Sequence, residues 1–407
     1  MTNYDEREIQ APQARELLLF RRLQEILPFA VHHSSGWASR LSGVDFRSIA
    51  TRNDLSKLPI LRKSQLIVEQ DSRPPFAGLV ARRSGSFPRL FLSPGPICEP
   101  QLPTSDSWNA ARALHAAGLC KDDILLNTFS YHLTPGGFMF DSGARTLGCA
   151  VIPAGPGNTE QLKHVLDRYR PSAFAGTADF LNALLVAFER AGGSSFPIQQ
   201  AVLPGAAVPQ NLRDRFNAVG IAVHELYGTA ELGVVAYETD AHQGFIANED
   251  LIIEILDSIT GNPVSEGATG EVVVTRLSSD YPLFRFATGD LSAVLPGTSP
   301  CGRTNTRLKG WLGRADQTAK VKGMFVHPTQ VIEVINRTPE VTKGQLVISR
   351  HDDRDEMTLE VETGDGRVDA PALSQTLTDI TKLRGTVRVV PNGSIAQSGA
   401  IIDRRTT

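Results

Sequence analysis

Cysteine is scarce in this chain: four in 407 residues, at positions 98, 120, 149 and 301, with no C-x-x-C pair among them. Scattered in this way they form neither a zinc-knuckle pattern nor a disulfide framework, and a reducing cytoplasm is their simplest setting. Long hydrophobic runs are missing too, since none approaches the ~18 uninterrupted apolar residues of a membrane span. The N-terminus, Met1-Thr2-Asn3-Tyr4-Asp5-Glu6, starts acidic where a secretory leader would start basic. Positive charge is not in excess. A formal net charge of -3 gives no general attraction to a phosphate backbone, which argues against nucleic acid as a partner. No H-E-x-x-H motif and no Ser-His-Asp order competes for the chemistry.

What the chain has is length and alternation. At 407 residues it suits one large domain plus one small one. Residues 12–30 place Leu17, Leu18, Leu19, Leu23, Ile26 and Leu27 at helical spacing and predict an amphipathic helix docked on the main domain. From residue 106, predicted helices at 106–118, 160–169, 179–192 and 209–219 alternate with strand-like runs at 123–129, 172–176, 200–204 and 221–227. That alternation is the pattern of an α/β domain with a largely parallel sheet. Strand-like runs at 251–256 and 271–275 flank the turn Thr260-Gly261-Asn262-Pro263 and predict an antiparallel hairpin or small barrel attached to the sheet. Beyond Gly313, predicted helices at 328–337 and 371–383 and strands at 345–349, 357–362 and 386–390 make a compact α+β unit. The expected fold class is therefore α/β. A large N-terminal α/β domain over 1–312 carries a small β-barrel-like region, and a small C-terminal α+β domain follows over 313–407.

Three strings stand out in order: Tyr227-Gly228-Thr229-Ala230-Glu231-Leu232-Gly233, then Arg285-Phe286-Ala287-Thr288-Gly289-Asp290, then Gly313-Arg314-Ala315-Asp316. Each alone has a bland reading: the first as a strand-to-helix turn, the second as an ordinary turn after Gly289. Together they resemble the nucleotide-handling core of adenylate-forming enzymes, in particular the phenylacetate-CoA ligases. The resemblance implies that Tyr227 stacks on adenine beside Gly228, that Thr229 faces the phosphate, and that Glu231 helps hold Mg²⁺. It implies that Asp290 accepts hydrogen bonds from the ribose hydroxyls, that Arg314 approaches the nucleotide, and that Asp316 lies at a hinge. These residue types suit those tasks: a flat apolar face for a base, a neutral donor for an anion, a hard oxygen for Mg²⁺, and an acceptor-only carboxylate for a diol.

The same resemblance extends over nearly the whole chain from about residue 55. Leu58-Pro59-Ile60-Leu61-Arg62-Lys63 looks like the family's early L-P-x-x-x-K segment. Leu203-Pro204-Gly205-Ala206-Ala207 stands at its adenine loop, with Gly205 matching and Ala207 replacing an acid. Gly323, in Lys320-Val321-Lys322-Gly323-Met324, matches the glycine of a loop used in thioester formation, where a missing side chain admits a pantetheine arm. Asn127 to Gly137 resembles the segment that shapes the acid pocket, and with it Tyr131, His132 and Phe138 become candidate walls for an aryl or arylalkyl carboxylate.

Two places depart from the family. Its phosphate loop reads S-S-G-T-T-G-K-P, but the chain has Ser93-Pro94-Gly95-Pro96-Ile97-Cys98-Glu99-Pro100. Pro94 and Pro96 bring no N–H for a phosphate, and Glu99 is negative where positive charge is expected. Near the C-terminus, Ala400 occupies the position of the lysine that stabilises charge during adenylation. A charge-assisted hydrogen bond contributes about 1.5–3 kcal/mol, so its loss slows adenylation by roughly ten- to a few-hundredfold.

The expected activity is ATP-dependent acid-CoA ligation: ATP and Mg²⁺ activate a small carboxylic acid as its acyl-adenylate, AMP leaves, and coenzyme A takes the acyl group. The departures keep two rivals open: a degenerate adenylate-binding or partner-binding protein, and an enzyme of the thioester-forming half-reaction alone. The acceptor is CoA or a carrier protein's phosphopantetheine, no membrane partner is expected, and a homodimer is a common state for such enzymes.

Overall fold

In a computed structural model of the protein, the alternation of helix and strand resolves into a mixed nine-stranded sheet. The structure describes residues 3–405 apart from 193, 194, 206, 259, 316–318, 323, 327, 353, 365, 366 and 397. Five parallel strands run from one edge in the order Ala150–Pro153, Ile124–Asn127, Ala173–Ala175, Gln200–Pro204 and Ala222–Thr229. Gly233–Tyr237, Phe245–Ala247, Arg307–Leu308 and Val294–Leu295 then continue it antiparallel.

Helices cover both faces of the parallel half, and successive strand residues point to opposite sides to meet them. Leu125, Ala173, Ala175 and Val202 pack with Leu114, Phe140 and Ala144 from helices Ala110–Ala116 and Gly136–Leu147. Leu126, Phe174, Ala201 and Leu203 face Leu162, Leu184, Leu185 and Phe216, from helices Thr159–Tyr169, Ala178–Arg190 and Gln210–Ala218.

Helix Gly136–Leu147 and edge strand Ala150–Pro153 have no counterpart among the predicted elements. The helix starts on Gly136-Gly137, lacks a side-chain N-cap, and carries Gly143 in its interior. A Cβ at Gly143 would lie 2.7 Å from the Ala110 Cβ, so close packing against a neighbouring helix replaces the propensity the segment lacks.

A second sheet has the order Leu61–Arg62, Leu283–Ser292, Gly270–Arg276, Leu251–Leu256. The strands at 251–256 and 270–276 pair antiparallel as expected, but the β-barrel-like region is an open sheet. The N-terminal helix, Pro12–His33, buries Leu19, Phe20, Leu23, Leu27 and Ala30 in the core beneath this sheet, each such leucine contributing about 1.5–3 kcal/mol relative to exposure.

The chain divides into two compact units, Met1–Gly313 and Arg314–Thr407. In the second, a four-stranded sheet ordered Thr386–Val389, Arg354–Thr363, Val341–His351, Ile401–Asp403 packs on helices Pro328–Asn336 and Ala370–Thr381 through Val331, Val334, Leu346, Leu359, Leu373 and Leu377. Ile401–Asp403, absent from the predicted elements, joins the edge parallel to Val341–His351.

Candidate active site

The strand Ala222–Thr229 ends at the carboxyl edge of the parallel half, where open α/β sheets bind ligands. It turns at once into the antiparallel strand Gly233–Tyr237, pairing Gly228 with Val234 and Thr229 with Gly233. The Tyr227–Gly233 string is thus a strand-to-strand turn, and the strand-to-helix reading is corrected. Gly233 has φ +79, and a Cβ there would meet the Trp108 backbone, with its Cα at 2.7 Å, so the turn needs glycine.

Tyr227 is buried, and its hydroxyl donates to Oδ2 of Asp290 at 2.9 Å and lies 3.1 Å from Oγ1 of Thr288. Trp311 Nε1 donates to the other carboxylate oxygen of Asp290 at 3.0 Å. Two of the three sequence strings therefore meet in one hydrogen-bonded group. These donors hold the carboxylate in one orientation, and an acceptor-only group is the type a diol calls for. Trp311 carried no signal in the sequence. Arg285 of the same motif turns elsewhere, pairing with Glu254 at 3.0 Å and donating to the Leu58 carbonyl, a structural role.

Thr229 is half-buried, and its hydroxyl accepts from the Leu232 N–H at 3.2 Å. Gly205 is exposed with φ +102 directly after strand Gln200–Pro204. Arg314 opens the second unit. Asp316 and Gly323 lie outside the described residues.

Glu231 points inward and is fully buried. Its Oε1 lies 2.6 Å from the Nζ of Lys63, whose side chain is only 14% exposed. Burial works against the ionised form of Glu231, but the Lys63 ammonium overrides it and holds the carboxyl below its ordinary range. The guanidinium of Arg276, also buried, donates to the Glu231 and Tyr281 carbonyls. Lys63 was visible in sequence only as part of a matching segment, with no role attached.

Glu99 completes this group. It lies on the second strand of a short hairpin, Leu90–Ser93 with Ile97–Pro100, in which Phe91 pairs with Glu99 and Ser93 with Ile97. The Ser93 hydroxyl donates to Oε1 of Glu99, while Oε2 has no hydrogen-bond partner among the described residues. Burial, with the Glu231 charge adding to it, pushes the Glu99 carboxyl up to about 8, which favours its protonated form. The segment expected at the phosphate loop is therefore a closed hairpin whose turn, Pro94 to Pro96, offers the single N–H of Gly95.

Mg²⁺ does not fit Glu231 as this structure holds it. The ion requires hard oxygen ligands at about 2.0–2.1 Å in octahedral array. Here the carboxylate is already neutralised by an ammonium 2.6 Å away. Among the described residues, no three His, Cys, Asp or Glu side chains gather as a metal site.

On the acyl side, Tyr131 and Phe138 meet edge to face with ring centroids 5.1 Å apart, and Phe91 lies 5.4 Å from Phe138. Asn127 Nδ2 donates to the Tyr131 hydroxyl and the Gly137 carbonyl, both at 2.8 Å, which fixes the loop after strand Ile124–Asn127. The Tyr131 hydroxyl donates in turn to Asp141, and burial together with that carboxylate pushes its pKa up, keeping it protonated. Phe138 also lines a cavity of about 320 Å³ with Arg89, Gln101, Asp141 and Arg145. His132 is exposed.

Residues 104–278 match the AMP-binding enzyme family, and residues 323–405 match the AMP-binding enzyme C-terminal domain. The chain is 31% identical to the phenylacetate-coenzyme A ligase of Thermus thermophilus over 340 residues, covering 80% of this chain and 75% of that protein. It is 30% identical to the phenylacetate-coenzyme A ligase of Aromatoleum evansii, covering 78% and 73% respectively. In fold it resembles a 2-hydroxyisobutyryl-CoA ligase solved with 2-HIB-AMP and CoA, with a TM-score of 0.86 over 98% of this chain and 92% of that one, at 23% identity. The chain belongs to the AMP-binding, adenylate-forming enzymes, with phenylacetate-coenzyme A ligases among its relatives.

Proposed function

We propose that the chain is an AMP-forming acid-thiol ligase, which carries an aryl or arylalkyl carboxylic acid through its acyl-adenylate to the thiol of coenzyme A or of a carrier-protein phosphopantetheine. The observation that carries this is the Asp290 carboxylate held between the Tyr227 hydroxyl and the Trp311 indole at the carboxyl edge of the parallel sheet. An oriented acceptor-only group at that edge suits a ribose diol. The Tyr131, Phe138 and Phe91 rings supply an apolar wall for an aromatic acid. The names of the 30–31% identical relatives support an aryl acid and coenzyme A as substrates.

The residues act by binding and orienting. Tyr227 and Trp311 fix Asp290, the Thr229 side chain hydrogen-bonds Glu231 and favours its ionised form, and the resemblance gives Gly323 the pantetheine arm. Thioester formation is the step that follows: the thiol sulfur attacks the acyl carbon, the bond from that carbon to the phosphate oxygen breaks, and AMP departs with the electron pair while the thiol proton passes to solvent.

The test supplies CoA with each of a panel of aryl acids plus ATP, and in parallel with the corresponding synthetic acyl-adenylates, and reads thioester and AMP by mass spectrometry. Thioester from at least one aromatic substrate is expected. Folded protein that makes none by either route would sink the reading.

A further inference from the structure

The groups around Glu231 present a charge arrangement at odds with a metal-bound triphosphate. The Lys63 ammonium is held against the Glu231 carboxylate at 2.6 Å, and the Arg276 guanidinium donates to the Glu231 carbonyl. Lys63, Glu99, Glu231 and Arg276 all have buried or nearly buried side chains, so the Glu231 carboxylate is already matched by a cation inside the protein. For Mg²⁺ to reach Glu231 it would have to displace an ammonium held at 2.6 Å from a fully buried carboxylate.

The backbone adds a second, independent observation. A phosphate tail is bound by successive N–H groups of an open, glycine-rich loop. Here Ser93 and Ile97 already pair as strand partners, closing a three-residue turn in which Pro94 and Pro96 have no N–H. The hairpin also delivers Glu99, whose Oε2 has no partner among the described residues, toward the carboxylate of Glu231. Triphosphate brings several negative charges and, with its metal, a need for open carboxylates. An acyl-adenylate or AMP brings one phosphate and needs neither.

Resting on the ligase reading above, we propose that the site is preset for the acyl-adenylate and AMP rather than for magnesium-ATP: Glu231 is a structural counter-ion of Lys63, magnesium is not recruited to it, and adenylation is the handicapped half of the reaction. Ala400, at the position where the resemblance places the adenylation lysine, handicaps the same half.

Calorimetric titration of the full chain with AMP, with ATP in EDTA, with ATP plus magnesium chloride, and with an aryl-sulfamoyl adenosine tests this. The expected result is that the sulfamoyl compound and AMP bind, that ATP binds at least tenfold more weakly than AMP, and that magnesium changes the ATP dissociation constant by less than threefold. ATP binding within tenfold of AMP, or a magnesium effect above threefold, overturns the proposal and leaves the ligase reading standing. Failure of all four ligands to bind overturns both. A readout without nucleotide accompanies it: magnesium chloride alone leaves the melting temperature of the wild-type chain unchanged against an ionic-strength control of sodium chloride, and a specific rise of more than about 2 °C also overturns the proposal.

Discussion

The Nζ of Lys63 lies 2.6 Å from Oε1 of Glu231, with the carboxylate fully buried. Glu231 comes from the string that identifies the nucleotide site, and Lys63 from a segment far earlier in the chain. Their meeting ties the sheet containing Leu61–Arg62 to the turn after Ala222–Thr229. Removing one member of a buried pair leaves an uncompensated charge and costs about 3–5 kcal/mol, whereas replacing both is far milder. Lys63→Met is therefore expected to lower stability by about 3 kcal/mol or more, and adding Glu231→Gln to recover a large part of that loss. Urea denaturation of the wild type, both single variants and the double variant measures the coupling, and additive losses would show that the pair does not act as one.

Glu99 sets a pH dependence of stability. At low pH, below the unfolded carboxylate's ~4.3, the side chain is protonated in both states and ionisation adds no cost. As pH rises toward 8, the unfolded chain releases the proton while the folded chain, with its carboxyl raised to about 8, retains it, so stability falls. Above about 8 the penalty levels off. Glu99→Gln removes the ionisable group, so its stability relative to wild type should rise by roughly 2–4 kcal/mol between pH 5 and pH 8. Denaturation midpoints at the two pH values give the answer, and an unchanged difference would mean that Glu99 is ionised in the folded protein.

The fold was largely legible because its signals are local. Leu125 and Leu126 serve opposite faces of one strand, and the leucines of helix Pro12–His33 recur at helical spacing. What escaped depends on tertiary contact. Helix Gly136–Leu147 opens on two glycines, and strand Ala150–Pro153 is short and ends in proline. At the site, residue types and order pointed to Tyr227, Glu231 and Asp290, but not to their partners Trp311, Lys63 and Glu99. A pairing between distant segments leaves no periodicity, so a carboxylate can be recognised in sequence while its charge environment cannot. The charge reversal at Glu99 was visible, but its burial and retained proton were not.

Gly233 provides a backbone test of the turn that follows Thr229. Its φ of +79 costs any L side chain about 1–2 kcal/mol, and an added Cβ would meet the Trp108 backbone, with Cα at 2.7 Å. Gly233→Ala should destabilise the protein by more than about 2 kcal/mol and disturb the pairing of Gly233 with Thr229. Gly85→Ala is the control, because a Cβ there meets nothing within 4 Å and the backbone needs no left-handed conformation. Thermal melts that show the two variants alike would rule out the close approach to Trp108.

The Asp290 group yields a prediction that separates binding from folding. Tyr227→Phe keeps the buried ring and removes the hydroxyl donor 2.9 Å from Oδ2, while Trp311→Phe removes the indole donor 3.0 Å from Oδ1. Each deletion leaves the carboxylate with one fixed donor fewer and costs about 1–3 kcal/mol of orientation and desolvation. If Asp290 receives a ribose diol, that loss falls on nucleoside recognition, and AMP affinity should weaken roughly five- to hundredfold in each variant. The discriminating ligand is 2′,3′-dideoxy-AMP, which lacks the hydroxyls. Its affinity should be weak in the wild type and nearly unchanged by either substitution, because the donors then orient an acceptor that no ligand uses. Equal losses for AMP and its dideoxy analogue would instead assign Tyr227 and Trp311 to maintaining the pocket and remove Asp290 from ribose recognition.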